Sequence, residues 1–258
     1  MGEDEEFVSR GDAAQWLAES RHLLVFRREG LVSVDIQDDD ATVLVRRTGL
    51  LRGWSESPDG TEVAYALAKK ESRSGECGEY VDIYVVDRDG GSRRRLTRDG
   101  RSSDPVWRDG RIAFAREPVK PPCAPPNAGI WTMASDGSDV HPVIRSAPRR
   151  FAWNGYYGLR PYGFVRRESL ILAGVRTEWG DELALIDSRT KRIRRPDLDR
   201  RPRSRQSMYV DYVSRDGRYV LGAGCGAEFP CTIRIYSVLE HGARDLRTGR
   251  VGDAHWNR

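Results

Sequence analysis

Four cysteines are the side chains best suited to form covalent cross-links in this chain: Cys77, Cys123, Cys225 and Cys231. Cys225 and Cys231 bracket the short loop GAEFP, a separation that a local disulfide can close. There is no CxxC pair, and none of the four histidines is near a cysteine in sequence, which argues against a zinc site. The chemistry to expect is therefore either two disulfides or four thiols in a reducing compartment.

A second group with chemical potential is the basic run at 189–205 (RTKRIRRPDLDRRPRSR). Its nine basic side chains could attract phosphate, nucleic acid or an acidic lipid surface. Two aspartates dilute the charge, however, and no aromatic residue is interleaved to stack on bases. We favour a solvated connector and expect no specific nucleic-acid partner. The candidate partner-binding residues in this run are Arg200, Arg201 and Arg203.

The segment 153–164 (WNGYYGLRPYGF) combines aromatic side chains with glycine. Flat rings bury a large area at a small cost in conformational entropy, so such a segment can bind carbohydrate or peptide. It can equally serve to pack one sheet against the next, and this is the interpretation that we favour. The candidate partner-binding residues here are Trp153, Tyr156, Tyr157, Arg160 and Tyr162.

Motifs that would indicate catalysis are missing. The sequence contains no GxSxG, HExxH, P-loop or GxGxxG motif. The stretch at 87–90 (DRDG) shares part of a calcium-loop pattern but lacks the remaining ligands and the closing Glu, so we interpret it as a hairpin turn. We therefore expect a protein that is not an enzyme and that uses no cofactor or metal.

These residues belong to a framework of five similar segments, spaced at about fifty residues. In the clearest copy, Trp54 is followed by predicted strands at Glu62–Ala66, Asp82–Asp87 and Arg93–Thr97. Asp-Gly pairs separate strands, and glycine there supplies the positive φ that hairpin turns need. Repeated modules of four short strands predict an all-β fold, a β-propeller of antiparallel blades. Aromatic residues mark the first strands: Trp16, Trp54, Trp107, Trp153 and the pair Tyr209 and Tyr212.

The motifs of the second and third copies are specific enough to compare with a known family. The second copy reads WSESPDG, then VAYA, DIYVVD and RRLT, and the third repeats WRDG and IAFA. This series resembles the WD-repeat-like propeller module of the TolB family, closely in copies two and three and loosely in the others. The resemblance implies a six-bladed propeller and a periplasmic or extracytoplasmic interaction protein rather than an enzyme.

The repeats predict one propeller domain over residues 1–258. Its blades are expected at about 11–49, 50–97, 98–145, 146–195 and 196–250. A sixth copy begins near residue 251 with DAHW and has two residues after it. Either the propeller is six-bladed and truncated, which we favour, or five modules close on themselves. An open arc would present unpaired strand edges, which proteins usually cover.

The phase of the repeat places all four cysteines in connections between second and third strands, on one face of a propeller. Cys77 and Cys123 precede the equivalent residues Ile83 and Ile130 by six and seven positions, so in neighbouring blades they should lie close together. We therefore predict the disulfides 77–123 and 225–231. Disulfides would locate the protein in the periplasm or outside the cell.

The expected partner is accordingly a protein of the cell envelope, with a carbohydrate or peptide ligand possible. The alternative function is a substrate-gating or carbohydrate-binding propeller associated with a peptidase or a polysaccharide-degrading enzyme. A net charge of +4 gives little reason to expect a polyanion partner. Only four of the 43 basic residues are lysine, and the 39 arginines suit either a biased codon usage or bidentate recognition of phosphate and carboxylate.

Length and hydropathy set the remaining expectations. No apolar run approaches the length that crosses a bilayer, so no transmembrane segment is expected. The opening MGEDEEF is acidic and no apolar segment follows it, so no export signal is visible in this chain. We expect a monomer.

Overall fold

The structure is a computed structural model. It describes residues 13–16, 21–38, 40–69, 80–118, 128–146, 158–165, 169–177, 180–194, 196, 208–214, 218–224, 232–238 and 243–245. Within these residues it contains twenty β-strands and no helix, so the predicted all-β class is confirmed. Accordingly, the described part of the chain has no helix that is long and apolar enough to cross a membrane.

The strands follow one another in five groups of four. The first group is β1 (Ala13–Trp16), β2 (His22–Arg27), β3 (Gly30–Asp35) and β4 (Ala41–Arg46). The second is β5 (Leu50–Glu56), β6 (Glu62–Lys69), β7 (Tyr80–Asp87) and β8 (Arg93–Arg95). The third is β9 (Ser102–Arg108), β10 (Arg111–Arg116), β11 (Gly129–Ala134) and β12 (His141–Ile144). The fourth is β13 (Leu159–Val165), β14 (Leu170–Thr177), β15 (Gly180–Asp187) and β16 (Ile193–Arg194). The fifth is β17 (Met208–Val213), β18 (Tyr219–Gly224), β19 (Thr232–Ser237) and β20 (Ala243–Asp245).

The first of two compact units spans Met1–Gly110. It contains two antiparallel sheets with the strand orders β1-β2-β3-β4 and β5-β6-β7-β8. Strand β9 lies beside β5. Side chains from both sheets meet in one apolar cluster that includes Leu24, Leu31, Tyr65 and Val86. Burial of this cluster is the main force that holds the unit together.

The second compact unit spans Arg111–Arg258. Strands β10, β11 and β12 are consecutive antiparallel neighbours. Strands β13 to β16 pair in chain order, as do β17 to β20. Asp181 of β15 also pairs with Met208 of β17. The core of this unit includes Val165, Leu172 and Val220, each buried completely.

Asp-Gly pairs form tight turns, as the sequence predicts. At Asp109 and Gly110 both φ angles are positive, 44° and 75°, which is the geometry of a hairpin turn of type I′. At Gly60, where φ is 75°, the turn is held by the carboxylate of Asp59. That carboxylate accepts hydrogen bonds from Ser57 Oγ (2.6 Å) and from the backbone N–H of Thr61 (3.1 Å). These donors, the Ser57 hydroxyl first, hold the pKa of Asp59 below its usual value.

A β-bulge interrupts the first strand of several groups. The pairing register shifts between Leu51 and Trp54 in β5, and similar shifts occur in β13 and β17. Gly53 lies inside the β5 bulge with φ of 89°. A Cβ atom at this glycine would lie 2.8 Å from the Cα of Asp104 in β9, so the two backbones approach too closely for any other residue.

The fourth group differs from the sequence prediction at its first strand. Trp153 was expected to mark that strand, whereas the strand that pairs with β14 is β13 (Leu159–Val165). The physical reason is burial: Leu159, Phe164 and Val165 are almost completely inaccessible and supply the apolar contacts that this position needs. Trp153 itself lies outside the described residues.

Candidate functional site

Two of the predicted partner-binding residues, Arg160 and Tyr162, lie on β13. The others lie outside the described residues: Trp153, Tyr156, Tyr157, Arg200, Arg201 and Arg203. The four cysteines, Cys77, Cys123, Cys225 and Cys231, lie outside them as well. The disulfides and the basic surface therefore stay predictions.

Arg160 and Tyr162 form a cation–π pair. The guanidinium carbon of Arg160 lies 5.7 Å from the centroid of the Tyr162 ring, within the range at which the ring attracts a cation. The β-bulge between Pro161 and Gly163 alters the direction in which Tyr162 points. Sequence spacing alone does not give this arrangement, because it depends on the bulge.

Arg160 and Tyr162 have different surroundings and therefore different roles. Tyr162 is half-buried and packs against the apolar cluster that contains Leu172, so its ring is fixed by the core. Arg160 lies opposite Gly174 on β14, which has no side chain to crowd the guanidinium. The ring therefore contributes to packing, and the guanidinium is the charged member of the pair, with five N–H donors.

A polar cluster that the sequence did not indicate joins β10, β11 and β12. Arg111 donates a hydrogen bond of 2.9 Å to the Asp139 carboxylate and lies 3.4 Å from Thr132 Oγ1. His141 completes the cluster: its Nε2 lies 3.0 Å from Thr132 Oγ1 and its Nδ1 lies 3.0 Å from the backbone oxygen of Asp139. Arg111 and Asp139 are 28 residues apart, so no local sequence signal could have paired them.

This cluster has the residue types of a hydroxyl–imidazole–carboxylate relay, but its geometry indicates a structural role, in which hydrogen bonds link the three strands. Thr132 is only 3% exposed, so its hydroxyl has no path to a substrate. The hydrogen bond and charge of Arg111 hold the pKa of Asp139 below its usual value. In the described part of the chain, this cluster included, no three His, Cys, Asp or Glu side chains come together as a metal ion requires.

A buried carboxylate ties β8 to β7. Asp82 is 2% exposed and accepts hydrogen bonds from Arg95 Nη2 (2.5 Å), Thr97 Oγ1 (3.3 Å) and the backbone N–H of Gly100 (3.1 Å). Thr97 Oγ1 in turn accepts a hydrogen bond from the backbone N–H of Ile83 (2.9 Å). This network explains why the second repeat carries an aspartate in DIYVVD and both arginine and threonine in RRRLT: the charge is buried, paired and fully hydrogen-bonded.

Comparisons with known proteins relate the chain to others through its fold. No protein-family model matches the sequence, and no curated protein matches it. The structure of putative TolB from Agrobacterium tumefaciens is similar with a TM-score of 0.61 and 15% identity, over 90% of this chain and 79% of that one. TolB from Acinetobacter baumannii gives 0.58 and 11%, over 87% and 49%. The chain has a β-propeller fold.

The same comparisons correct one expectation. Oligogalacturonate lyase from Vibrio parahaemolyticus is similar with a TM-score of 0.58 and 14% identity, over 93% of this chain and 67% of that one. Enzymes therefore share this fold. The expectation that the chain is not an enzyme rested on missing motifs, and it is wrong. The physical reason is that a propeller fold leaves the chemistry of its sites open. The chain also spans only about half the length of the Acinetobacter TolB.

Proposed function

We propose that this propeller is a binding scaffold for a protein partner of the cell envelope. The observation that carries the proposal is the Arg160–Tyr162 pair, in which a core-packed ring supports a guanidinium. Arginine and tyrosine are enriched among the residues that dominate binding energy at protein interfaces. Because β13 is part of a packed sheet, little conformational entropy is lost when a partner contacts it.

The fold likeness to TolB supports the same proposal. The proposal also includes one propeller domain over residues 1–258 and the disulfides 77–123 and 225–231. It further includes a location in the periplasm or outside the cell. Oxidised cysteines would be consistent with that location, because cytoplasmic thiols are kept reduced.

A second candidate function is the binding of an acidic oligosaccharide, alone or within a larger enzyme. The observation that favours it is the likeness to oligogalacturonate lyase. The Arg160 guanidinium also suits a sugar carboxylate, which it can bind in a bidentate manner.

Affinity capture with a matched pair of variants tests the proposal. Immobilised wild-type chain, R160A and R98A are each incubated with solubilised envelope proteins, and the retained proteins are quantified by mass spectrometry. Arg98 is an exposed arginine outside β13 and outside the basic run 189–205, so R98A makes the same charge change away from both candidate binding segments. We expect one protein to be retained by the wild type and by R98A, and about tenfold less of it by R160A.

Equal retention by all three chains would contradict the proposed role of Arg160. Oligogalacturonate is added in a parallel titration. If it binds the wild type and not R160A while no protein is retained, the second candidate function replaces the first.

A further inference from the structure

The three arginines of β8 differ in how their charges are balanced. Arg94 donates two hydrogen bonds, of 3.0 and 3.2 Å, to the carboxylate of Glu62. Arg95 pairs with the buried carboxylate of Asp82. Arg93 forms no ion pair with any carboxylate in the part of the chain that the structure describes. Its positive charge is therefore the one on this strand that is left without a counter-charge there.

Arg93 rests instead on a platform of two tyrosine rings. Its guanidinium carbon lies 4.6 Å from the centroid of the Tyr84 ring and 5.5 Å from that of Tyr65. The two rings are stacked, with centroids 5.6 Å apart and planes inclined by 19°. Tyr65 is fully buried and Tyr84 is 7% exposed, whereas Arg93 itself is exposed. A rigid part of the core thus fixes a solvent-accessible guanidinium.

The register of the sheet produces this platform. Val86 lies opposite Arg93 and Tyr84 lies opposite Arg95, so Arg93, Val86 and Tyr84 occupy the same face of the sheet. Arg94 lies on the other face with Val85, where Glu62 neutralises it. Face alternation therefore separates Arg93 from the carboxylate that balances its neighbour.

Among the residues that the structure describes, the groups around Arg93 do not supply the missing negative charge. Burial raises the pKa of Tyr65 to about 12, against the opposing effect of the Arg93 charge, so its hydroxyl is neutral at physiological pH. The adjoining turn contains two carboxylates, which accept hydrogen bonds from backbone N–H groups of the turn and form no ion pair with Arg93: Asp87 accepts from Ser92 (3.0 Å) and Asp89 from Gly91 (2.8 Å). A tyrosine ring attracts a cation without neutralising it.

We propose that Arg93, supported by Tyr84 and Tyr65, is a binding site for an oxyanion, either a carboxylate or a phosphate group of a ligand. A guanidinium is planar and carries its five N–H donors around its edge. Contact of its face with a ring leaves available the part of this edge that does not point to the Tyr65 hydroxyl, and two N–H donors there match the two oxygens of a carboxylate or phosphate. The site lies on β8 and does not depend on the proposed role of Arg160.

The test follows the Nε–Hε resonances of arginine by NMR in the full chain. Sodium phosphate and sodium acetate are titrated separately at constant ionic strength, with sodium chloride as the control salt. We expect saturable shifts at Arg93 with at least one of the two oxyanions. The matched control is R98A, which removes an exposed arginine close to β8 and should leave the Arg93 titration unchanged.

Two further variants distinguish specific oxyanion binding at Arg93 from nonspecific electrostatic attraction. R93K keeps the charge and loses the planar fork, so we expect the apparent affinity, read from neighbouring backbone amides, to fall about fivefold or more. Y84F keeps the ring and should bind like the wild type. Saturation by phosphate at the lower concentration would identify phosphate groups as the source, and the reverse order would identify carboxylates.

The proposal is overturned if shifts at Arg93 grow linearly with salt, if chloride saturates them equally, or if R93K binds both oxyanions as well as the wild type does. Circular dichroism of each variant checks that the fold is retained.

Discussion

Single carboxylates stabilise the second sheet at two points that differ in burial. Asp82 is buried and balances Arg95, while Asp59 lies in an exposed turn and accepts hydrogen bonds from Ser57 and Thr61. Loss of a buried partner leaves the other group desolvated and unsatisfied, whereas loss of an exposed one is partly replaced by water. The two residues should therefore respond differently to substitution.

Replacement of Asp82 by asparagine should destabilise the protein by about 2 kcal/mol, because Arg95 loses a charged acceptor in a buried setting. Urea denaturation of the wild type and D82N measures the difference. D109N is the matched control: Asp109 is exposed, so its substitution should change stability by less than about 0.5 kcal/mol. Similar losses for the two variants would contradict the structural role of Asp82.

The turn at Asp59 should weaken in acid. Because the pKa of this carboxyl is lower in the folded than in the unfolded chain, its contribution is fully present above the unfolded value of about 4 and is lost as pH falls through the folded value. Thermal unfolding of the wild type and D59N, followed from about pH 6 to about pH 2, tests this. The melting temperature of D59N should fall less steeply; parallel curves would argue against the turn as a source of acid sensitivity.

At the scale of strands, the first strand of the second group depends on a bulge that only glycine allows. Gly53 and Gly110 both have positive φ, 89° and 75°, but only Gly53 faces a neighbouring backbone. A Cβ at Gly110 would meet nothing within 4 Å. Substitution of Gly110 therefore tests backbone strain alone, whereas substitution of Gly53 tests backbone strain together with a steric clash.

G110A should cost about 1 kcal/mol, the price of a left-handed conformation for alanine. G53A should cost at least about 1 kcal/mol more, since the new methyl group would lie against the Cα of Asp104. Urea midpoints of the two variants give the comparison. Equal destabilisation would mean that β5 and β9 separate easily at this point.

Strands could be predicted from the sequence where apolar alternation and Asp-Gly turns coincide. Their ends were less predictable where pairing with a neighbouring strand sets the last paired residue. Strand β7 starts at Tyr80 and not at the predicted Asp82, because Lys69 and Tyr80 continue the pairing into polar sequence. Strand β8 ends at Arg95 and not at Thr97, since the N–H groups of Leu96 and Thr97 both donate to the Ile83 oxygen and close the ladder.

The candidate sites show the same division. Composition alone singled out Arg160 and Tyr162, because aromatic and arginine residues cluster in one segment. Arg93 could not be singled out in this way: three consecutive arginines look alike in sequence, and only the register of β8 decides which of them meets Tyr84 and which meets Glu62.

At the scale of the whole molecule, the number of cooperative units determines how the chain unfolds. The repeats predict one domain over residues 1–258, while the structure groups the chain into two compact units, each with its own apolar cluster.

One domain should unfold in one step. We expect coincident urea transitions for backbone amides of β6 and of β14, which represent the two units, when hydrogen exchange is followed by mass spectrometry. The coincidence should persist in the destabilised variant D82N, although Asp82 belongs to the first unit. Two separate midpoints, with only the first moved by D82N, would replace the one-domain prediction by two.

The arginines of β8 have a consequence for the protein at high concentration. β8 is the end strand of its sheet within the described residues, and an end strand can template a strand from another molecule. Two copies that joined through β8 would bring two sets of three guanidinium groups together without enough carboxylates to balance them. The unbalanced charge of Arg93, which prepares this strand for an anion, thus also opposes growth of the sheet into fibrils, and it should do so least when the anion is bound.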